Sequence, residues 1–371
     1  MFLTLLMCAS CENPWMREIL EPKTITFDSN GGSHVSSQDL IKGKKVTRPT
    51  NPSRAGFAFD AWYIDNGTFE KPWNFNIVPT YGFTLYAKWN LGGAAVQFVE
   101  IAAGTAALQF QMGQNGDGST GNVTPVHTVT FTRGFSMGKY PVTQAQWQAV
   151  MGTNPSHFTS GADAGETQSR RPVEMVSWYD ALVFCNKLSM KEGLSPAYSI
   201  VINGTPTTNP DSWGDVPTSA AHANYATWNA VTIVSGSNGY RLPTEAQWEY
   251  AAKGGPLSKG YICSGSDNVD DVAWYKGNSG DKTHEVGKKL PNELGLYDMN
   301  GNVIEWCWDW FETPYQSNDQ IDPVGASMET SGRSYRGGTW GVEASHVSSV
   351  YRNFDSPYTR VNNAGFRLLR P

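Results

Sequence analysis

A chain of 371 residues is longer than one hydrophobic core usually fills, so two or three domains are expected. With 17% charged residues, a net charge of -6 and no run of Lys or Arg, the chain lacks the clustered basic surface a nucleic-acid partner requires, and no internal apolar stretch is long enough to span a bilayer. Its 38 glycines, 14 tryptophans and 12% aromatic content describe a loop-rich fold with large buried anchors rather than a helical bundle.

The first residues, MFLTLLMCASC, form a short apolar run in which Ala9 and Ser10 directly precede Cys11, the order found at bacterial lipoprotein cleavage sites. Segment 1–21 therefore reads as a signal segment and linker, with lipid on Cys11. That places the protein at the bacterial cell surface or outer membrane, anchored through the lipid. No Lys or Arg precedes the run and it is short, so a frayed hydrophobic terminus is the alternative. Residues 22–90 form a separate module: Ile25 and Phe27 alternate with Thr24 and Thr26, Asp28 to Gly32 make a turn, and Leu85, Tyr86 and Trp89 close the unit. Gly and Ala residues over 91–95 make a hinge, and the second domain covers 96–371.

Three helices have legible ends in that domain. Thr143 caps the first, with Gln146 as capping-box partner and Gly152 as its stop. Ser177 caps the second ahead of Asp180, with Ala181, Phe184, Cys185 and Leu188 as its apolar face. Thr244 caps the third, where Glu245 meets the positive helix end. Residues 128–133 and 335–340 are candidate strands. In GLYDMNGNVIEWCWDWF the alternating Trp306, Trp308 and Trp310 suit a strand with one face in a core. The five cysteines, Cys8, Cys11, Cys185, Cys263 and Cys307, make no metal-binding pattern. Cys185 and Cys307 read as small buried hydrophobes, Cys263 as a free thiol, and a disulfide framework is not expected.

RLPTEAQWEYAA, GLYDMNGNV, SYRGGTW and the closing GFRLL together resemble the formylglycine-generating enzyme family, also called the sulfatase-modifying-factor domain. The resemblance implies an α+β fold with a C-type-lectin-like core, preceded by a small β-rich repeat. FDSNGG followed by LYAKW makes that first module similar to the internalin-type B repeat, for which a stalk or spacer role is expected.

Several chemistries follow from the resemblance. The family's oxidases hold copper on a cysteine pair after the RGG-aromatic motif, since thiolates suit cuprous ion. Here residues 340–367 contain no cysteine, so neither copper nor oxidase activity is expected. Another branch holds iron on histidines of an added helical domain. The six histidines here form no paired motif, so iron is not expected and lone loop or surface histidines are. The family's GNVxEW loop implies a structural calcium on the Asp298 side chain, the Gly301 and Val303 carbonyls and the Glu305 carboxylate. The alternative is that Asp298 and Glu305 only satisfy amides of the turn.

The family also includes the variable proteins of diversity-generating retroelements, in which adenines of asparagine codons are replaced at random. Between the scaffold residues Arg336, Trp340, Arg352, Arg360 and Phe366 lie Gly341, Val342, His346, Ser348, Tyr351, Asn353, Phe354, Asp355, Tyr358, Thr359, Val361 and Asn362. These show no core period, and each is reachable from an asparagine codon by such changes. The resemblance implies a variable surface for an unknown protein or glycan ligand. Tyr351, Phe354 and Tyr358 offer aromatic area at low rotamer cost, and Arg352 and Arg360 are expected to pair with carboxylates beneath. The alternatives are a formylglycine-generating oxidase or chaperone-like modifier of sulfatases and, third, a calcium-dependent carbohydrate binder. The usual lectin triads EPN and QPD are absent.

Overall fold

The computed structural model describes residues 24–54, 58–66, 71–90, 95–102, 108–115 and 121–371. The chain divides into two compact units on either side of Gly93. Segment 1–21, with Cys11, lies outside the described residues.

The first unit is one small sheet of β1 (Thr24–Asp28), β2 (Gln38–Asp39), β3 (Ala58–Tyr63) and β4 (Thr84–Asn90), in the order β2-β1-β4-β3, with β1 and β4 parallel. Alternation along β1 buries Ile25 and Phe27 against Trp62, Leu85 and Ala87. The two ends of the module meet where the Trp89 indole N–H donates to the Ser29 carbonyl at 2.7 Å. A Cβ on Gly32 would sit 2.3 Å from the Trp89 ring, so the turn glycine and the closing tryptophan require each other.

In the second unit, β5 (Phe98–Ile101), β6 (Leu108–Met112), β7 (His127–Phe131) and β8 (Phe135–Gly138) lead into α1 (Gln144–Met151) and α2 (Trp178–Lys191). Then come β9 (Tyr198–Ile202), β10 (Thr205–Thr207), α3 (Tyr225–Asn229), β11 (Thr232–Ile233), α4 (Glu245–Ala252), β12 (Ala273–Trp274) and β13 (Asn300–Gly301). The last third supplies β14 (Ile304–Trp310), β15 (Gln320–Ile321), β16 (Arg333–Arg336), β17 (Arg352–Asp355), β18 (Ala364–Gly365) and β19 (Leu369–Arg370). The fold is α+β, with sheets dominant.

The helices begin where their sequences place them. Thr143 with Gln146, and Ser177 with Asp180, form capping boxes, and Gly152 closes α1 in the left-handed conformation. On α4, Thr244 also makes a capping box, with Gln247 as the partner.

Two expectations for the strands are corrected. Every residue of β14 is buried, not one face of it. Trp306, Trp308 and Trp310 alternate with Glu305, Cys307 and Asp309, and the polar members are covered too. The second strand spans Arg333–Arg336 instead of 335–340, because Gly337 and Gly338 turn to φ of 103° and 76° and end the ladder. At Gly338 a Cβ would lie 2.5 Å from the His346 carbonyl, so only glycine lets the chain pass there. The sheet that carries the candidate site runs β17-β16-β14-β18.

Candidate functional site

β17 lies on the edge of that sheet, antiparallel to β16, with Arg336 opposite Arg352 and Tyr335 opposite Asn353. Two arginines facing each other across a strand pair repel unless an anion lies between them. The N-terminal turn of α4 supplies it. Arg352 grips Glu245 with both arms, Nε to Oε1 at 2.5 Å and Nη2 to Oε2 at 2.7 Å. Arg336 reaches the same Glu245 Oε1 at 2.8 Å and, through Nη2, Glu249 Oε2 at 2.7 Å. Ser334 Oγ donates to Glu245 Oε2 at 3.0 Å. Arg352 Nη1 also donates to the carbonyls of Asn122 and Glu312 at 2.7 and 2.8 Å. All four charged side chains are buried. Burial opposes ionisation of Glu245, but Arg352 and Arg336 outweigh it and hold its pKa down at about 2.

The rest of the tail is fixed the same way. Arg360 pairs with Asp180 by two bonds of 2.6 and 2.9 Å, joining the tail to the capping box of α2. Arg367 pairs with Glu305 by bonds of 2.6 and 2.7 Å, and also reaches the carbonyls of Gly138 and Tyr297. Beneath β16, the Arg333 guanidinium is sandwiched between Trp178 and Trp310 at 3.8 and 3.7 Å from their ring centres. Burial lowers its pKa to about 9.

The display positions lie between these locks. Over 341–363, the buried residues are Val347, Ser349, Val350, Arg352 and Pro357. Gly341 and His346 are exposed, and Val342, Ser348, Tyr351, Asn353, Phe354, Asp355, Tyr358, Thr359, Val361 and Asn362 are half-buried. Several hold the head through main-chain atoms. The carbonyl of Val342 accepts from Lys276 N–H, that of Val361 from Met175 N–H, that of Asn362 from the Trp340 indole, and that of Asn363 from Ile304 N–H. Phe354 packs against Phe311, with ring centres 4.7 Å apart and planes tilted by 34°. His346 and Tyr351 meet edge to face at 5.4 Å.

The rim includes groups that the sequence did not single out. Tyr225 of α3 meets Tyr358 at 6.1 Å and hydrogen-bonds Glu329, which also accepts from Asn229 at 2.9 Å. Tyr225 and Asn229 sit on the five-residue α3 and Glu329 about a hundred residues on, and no period in the sequence joins them.

For the calcium set, the geometry answers the sequence's two readings differently. Glu305 has one oxygen on the Trp248 indole N–H at 2.7 Å and both on Arg367. Asp298, at φ +54°, accepts from Gly287 N–H at 2.7 Å and from Asn302 Nδ2 at 3.2 Å. Gly301 and Val303 are buried beside them, and Gly301 N–H donates to the Gly337 carbonyl. Both carboxylates already face donors, and Arg367 supplies the positive charge a cation would bring. As placed, Asp298 and Glu305 do not fit a calcium ion, and the alternative is met only in part: Asp298 accepts one main-chain N–H, that of Gly287, and the Asn302 side chain of the turn, while Glu305 accepts from the side chains of Trp248 and Arg367. Burial raises Asp298 to about 6.

Of the lone loop or surface histidines expected, two depart: His127 is buried on β7, and His284, in a loop, is buried and meets Asp163 and Glu166. Cys185, Cys263 and Cys307 are free and buried, Cys263 included.

Comparison with known proteins agrees with this architecture. Residues 93–371 match the sulfatase-modifying factor enzyme 1-like domain, and residues 24–88 match the Listeria-Bacteroides repeat domain. Among solved structures, Treponema denticola variable protein 1 superposes with a TM-score of 0.66 and 42% identity, over 75% of this chain and 96% of that one. The chaperone protein LppX of Paenibacillus barcinonensis is 44% identical over 58% of this chain and 70% of its own length. The formylglycine-generating enzyme of Streptomyces coelicolor is 29% identical over 72% of this chain and 85% of its own. The chain therefore belongs to the family of the sulfatase-modifying factor enzyme 1-like domain, with a Listeria-Bacteroides repeat ahead of it.

Proposed function

We propose that the second unit is a ligand-binding head that presents residues 341–363 as a changeable contact surface, without oxidase activity. The observation that carries this reading is the separation of roles along the tail. Arg336, Arg352, Arg360 and Arg367 are fixed on carboxylates, while every candidate display side chain keeps some exposure. The likeness to a variable protein over nearly that protein's whole length supports it. So does the residue set itself, all of it within reach of asparagine codons. No cysteine follows Cys307, so the tail has no thiolate pair for copper. The partner is a protein or glycan that meets Tyr351, Phe354 and Tyr358 with apolar area and Asp355 and His346 with polar groups. A lipid on Cys11 would hold the protein at the cell surface, with the repeat as spacer. Among the described residues no helix is long and apolar enough to cross a membrane.

The test is a screen of the full chain against arrayed surface proteins and glycans. It is run beside a variant carrying Tyr351→Ala, Phe354→Leu, Asp355→Ala and Tyr358→Ala. Leucine keeps apolar bulk against Phe311. A ligand bound by the parent and lost in the folded variant is the expected result. Equal binding by both, or copper-dependent oxidation of a cysteine peptide, would overturn the reading. On the genome, the reading expects a neighbouring reverse-transcriptase gene and an asparagine-rich near-copy of the tail.

A further inference from the structure

His284 sits in an arrangement that the display head does not explain. Its ring lies flat on Trp274, with centroids 3.8 Å apart and planes 15° from parallel, and is 2% exposed. Both main-chain groups are clamped by Asn302: His284 N–H donates to Oδ1 at 3.0 Å, and its carbonyl accepts from Nδ2 at 3.1 Å. Asn302 thus fixes the backbone, and Trp274 and the Ser279 carbonyl hold the ring.

One ring nitrogen has a fixed role. Nε2 lies 2.7 Å from the Ser279 carbonyl, which can only accept, so Nε2 carries the hydrogen. In a neutral ring Nδ1 then holds a lone pair. It points at Glu166 Oε1, 2.9 Å away, and Asp163 Oδ2, 3.6 Å away. A lone pair facing two carboxylates is repulsive unless something positive joins them. The outer oxygens of both carboxylates are taken: Glu166 Oε2 accepts from Glu285 N–H at 3.3 Å, and Asp163 Oδ1 from Lys282 Nζ at 2.5 Å. Each carboxylate thus has its second oxygen directed toward Nδ1. The three donor atoms lie within 4.8 Å of one another. A histidine whose far N–H is held by a carbonyl, beside carboxylates held in turn by other donors, is the usual support around a metal ion.

We infer that Asp163, Glu166 and His284 form a site for a divalent transition-metal ion of the zinc class, bound through His284 Nδ1 and one oxygen from each carboxylate. The imidazole nitrogen selects this class over calcium or magnesium, which take oxygen donors. Asp163 is 54% exposed, so the site opens to solvent, leaving an entry path and room for a water ligand. Closing on an ion requires Nδ1 and Glu166 Oε1 to part by a few tenths of an ångström, to suit metal–ligand bonds of about 2.0–2.2 Å. The site would brace the start of the display segment. Ser279, whose carbonyl fixes the ring, also donates its hydroxyl to the Trp340 carbonyl at 2.8 Å.

The experiment is equilibrium dialysis of metal-stripped full-length protein against zinc, with thermal melts, for the parent, Glu166→Gln and Asp163→Asn. The expected result is one zinc per chain and a rise in melting temperature for the parent. Affinity should fall at least tenfold in Glu166→Gln and in Asp163→Asn. Asp163 is at the surface, so its variant keeps the test open should Glu166→Gln misfold. X-ray absorption should show nitrogen and oxygen ligands with one imidazole and no sulfur. A parent that retains no zinc, or folded variants that bind it as tightly as the parent, overturns the proposal. The cluster would then be an imidazolium held by its carboxylates.

Discussion

Replacing Arg352 with methionine tests whether the display strand is held by its buried charge cage. Methionine roughly preserves the stem's bulk and removes the guanidinium. Glu245, with its side chain 5% exposed, then keeps only Arg336 and Ser334, and the carbonyls of Asn122 and Glu312 lose their shared donor. Removing one partner of a buried ion pair costs about 3–5 kcal/mol, and here Arg336 is left as the one guanidinium serving both buried carboxylates, Glu245 and Glu249. A domain of this size loses about 2–4 °C per kcal/mol, so the head's transition should fall by roughly 6–20 °C. The neighbouring Asn353 provides the control. Among the described residues its side chain accepts only from the next residue's N–H, so Asn353→Ala should stay within about 0.5 kcal/mol. Differential scanning calorimetry of both variants reads the contrast. Adding Glu245→Gln to Arg352→Met should recover part of the loss, since Arg336 then serves Glu249 alone and no second buried carboxylate competes for it, with a coupling of about 0.5–3 kcal/mol. If Arg352→Met melts within 2 °C of the parent, a figure set by about half a kcal/mol on the same scale, the cage does not hold the strand and the separation of scaffold from display fails.

The remaining predictions concern pH, calcium and the terminus. Burial, and then the nearby Glu245 charge, raise Asp309 to about 7, so between the ordinary carboxylate pKa and 7 the unfolded chain loses a proton that the folded chain keeps; the head should therefore lose stability as pH rises from about 4 to 7, and Asp309→Asn should flatten that slope in melts taken across the range. Glu245 acts in the opposite sense, contributing stability above its unfolded pKa that disappears as pH falls toward about 2. Millimolar calcium added to metal-stripped protein should leave the melting temperature unchanged, because Glu305 is already gripped by Arg367; a rise of the size that a hundredfold excess over Kd gives, about 2.7 kcal/mol, would restore the calcium reading. Cys11→Ser should move the protein from the membrane to the soluble fraction, and unchanged membrane association would remove the lipid anchor.

What was legible in the sequence was mostly local. Thr143 with Gln146 and Ser177 with Asp180 are three residues apart, so spacing alone places their helices. That Arg352 and Arg360 would find carboxylates was legible from charge, but their identities were not, since Glu245 and Asp180 lie 107 and 180 residues away. Trp306, Trp308 and Trp310 looked like one buried face. The sequence pattern had no way to register that Glu305, Cys307 and Asp309 on the other face are covered too, with Glu305 matched by Arg367 and Asp309 by the N–H of Glu245. The His284 cluster was invisible for the same reason: Glu166 is 118 residues away and no local motif joins them.

A surface that must accept many side chains needs a backbone whose position does not depend on them. The tail achieves this by dividing its bonds. Arginines on carboxylates hold the backbone to the head through side chains, and four tail positions hold it through carbonyls: Val342 to Lys276, Val361 to Met175, Asn362 to Trp340, Asn363 to Ile304. The side chains of Ser348, Asn353 and Asp355 bond to neighbours within the tail. A main-chain bond contributes about 1 kcal/mol whatever residue supplies the carbonyl, so replacing the side chain leaves it standing. Phe354 departs from this rule, since its ring packs on Phe311 and a polar replacement would leave that ring partly uncovered. Variation at Phe354 should therefore be narrower than at Val361 or Asn362, and the ligand should read Phe354 through a ring that the head itself holds in place.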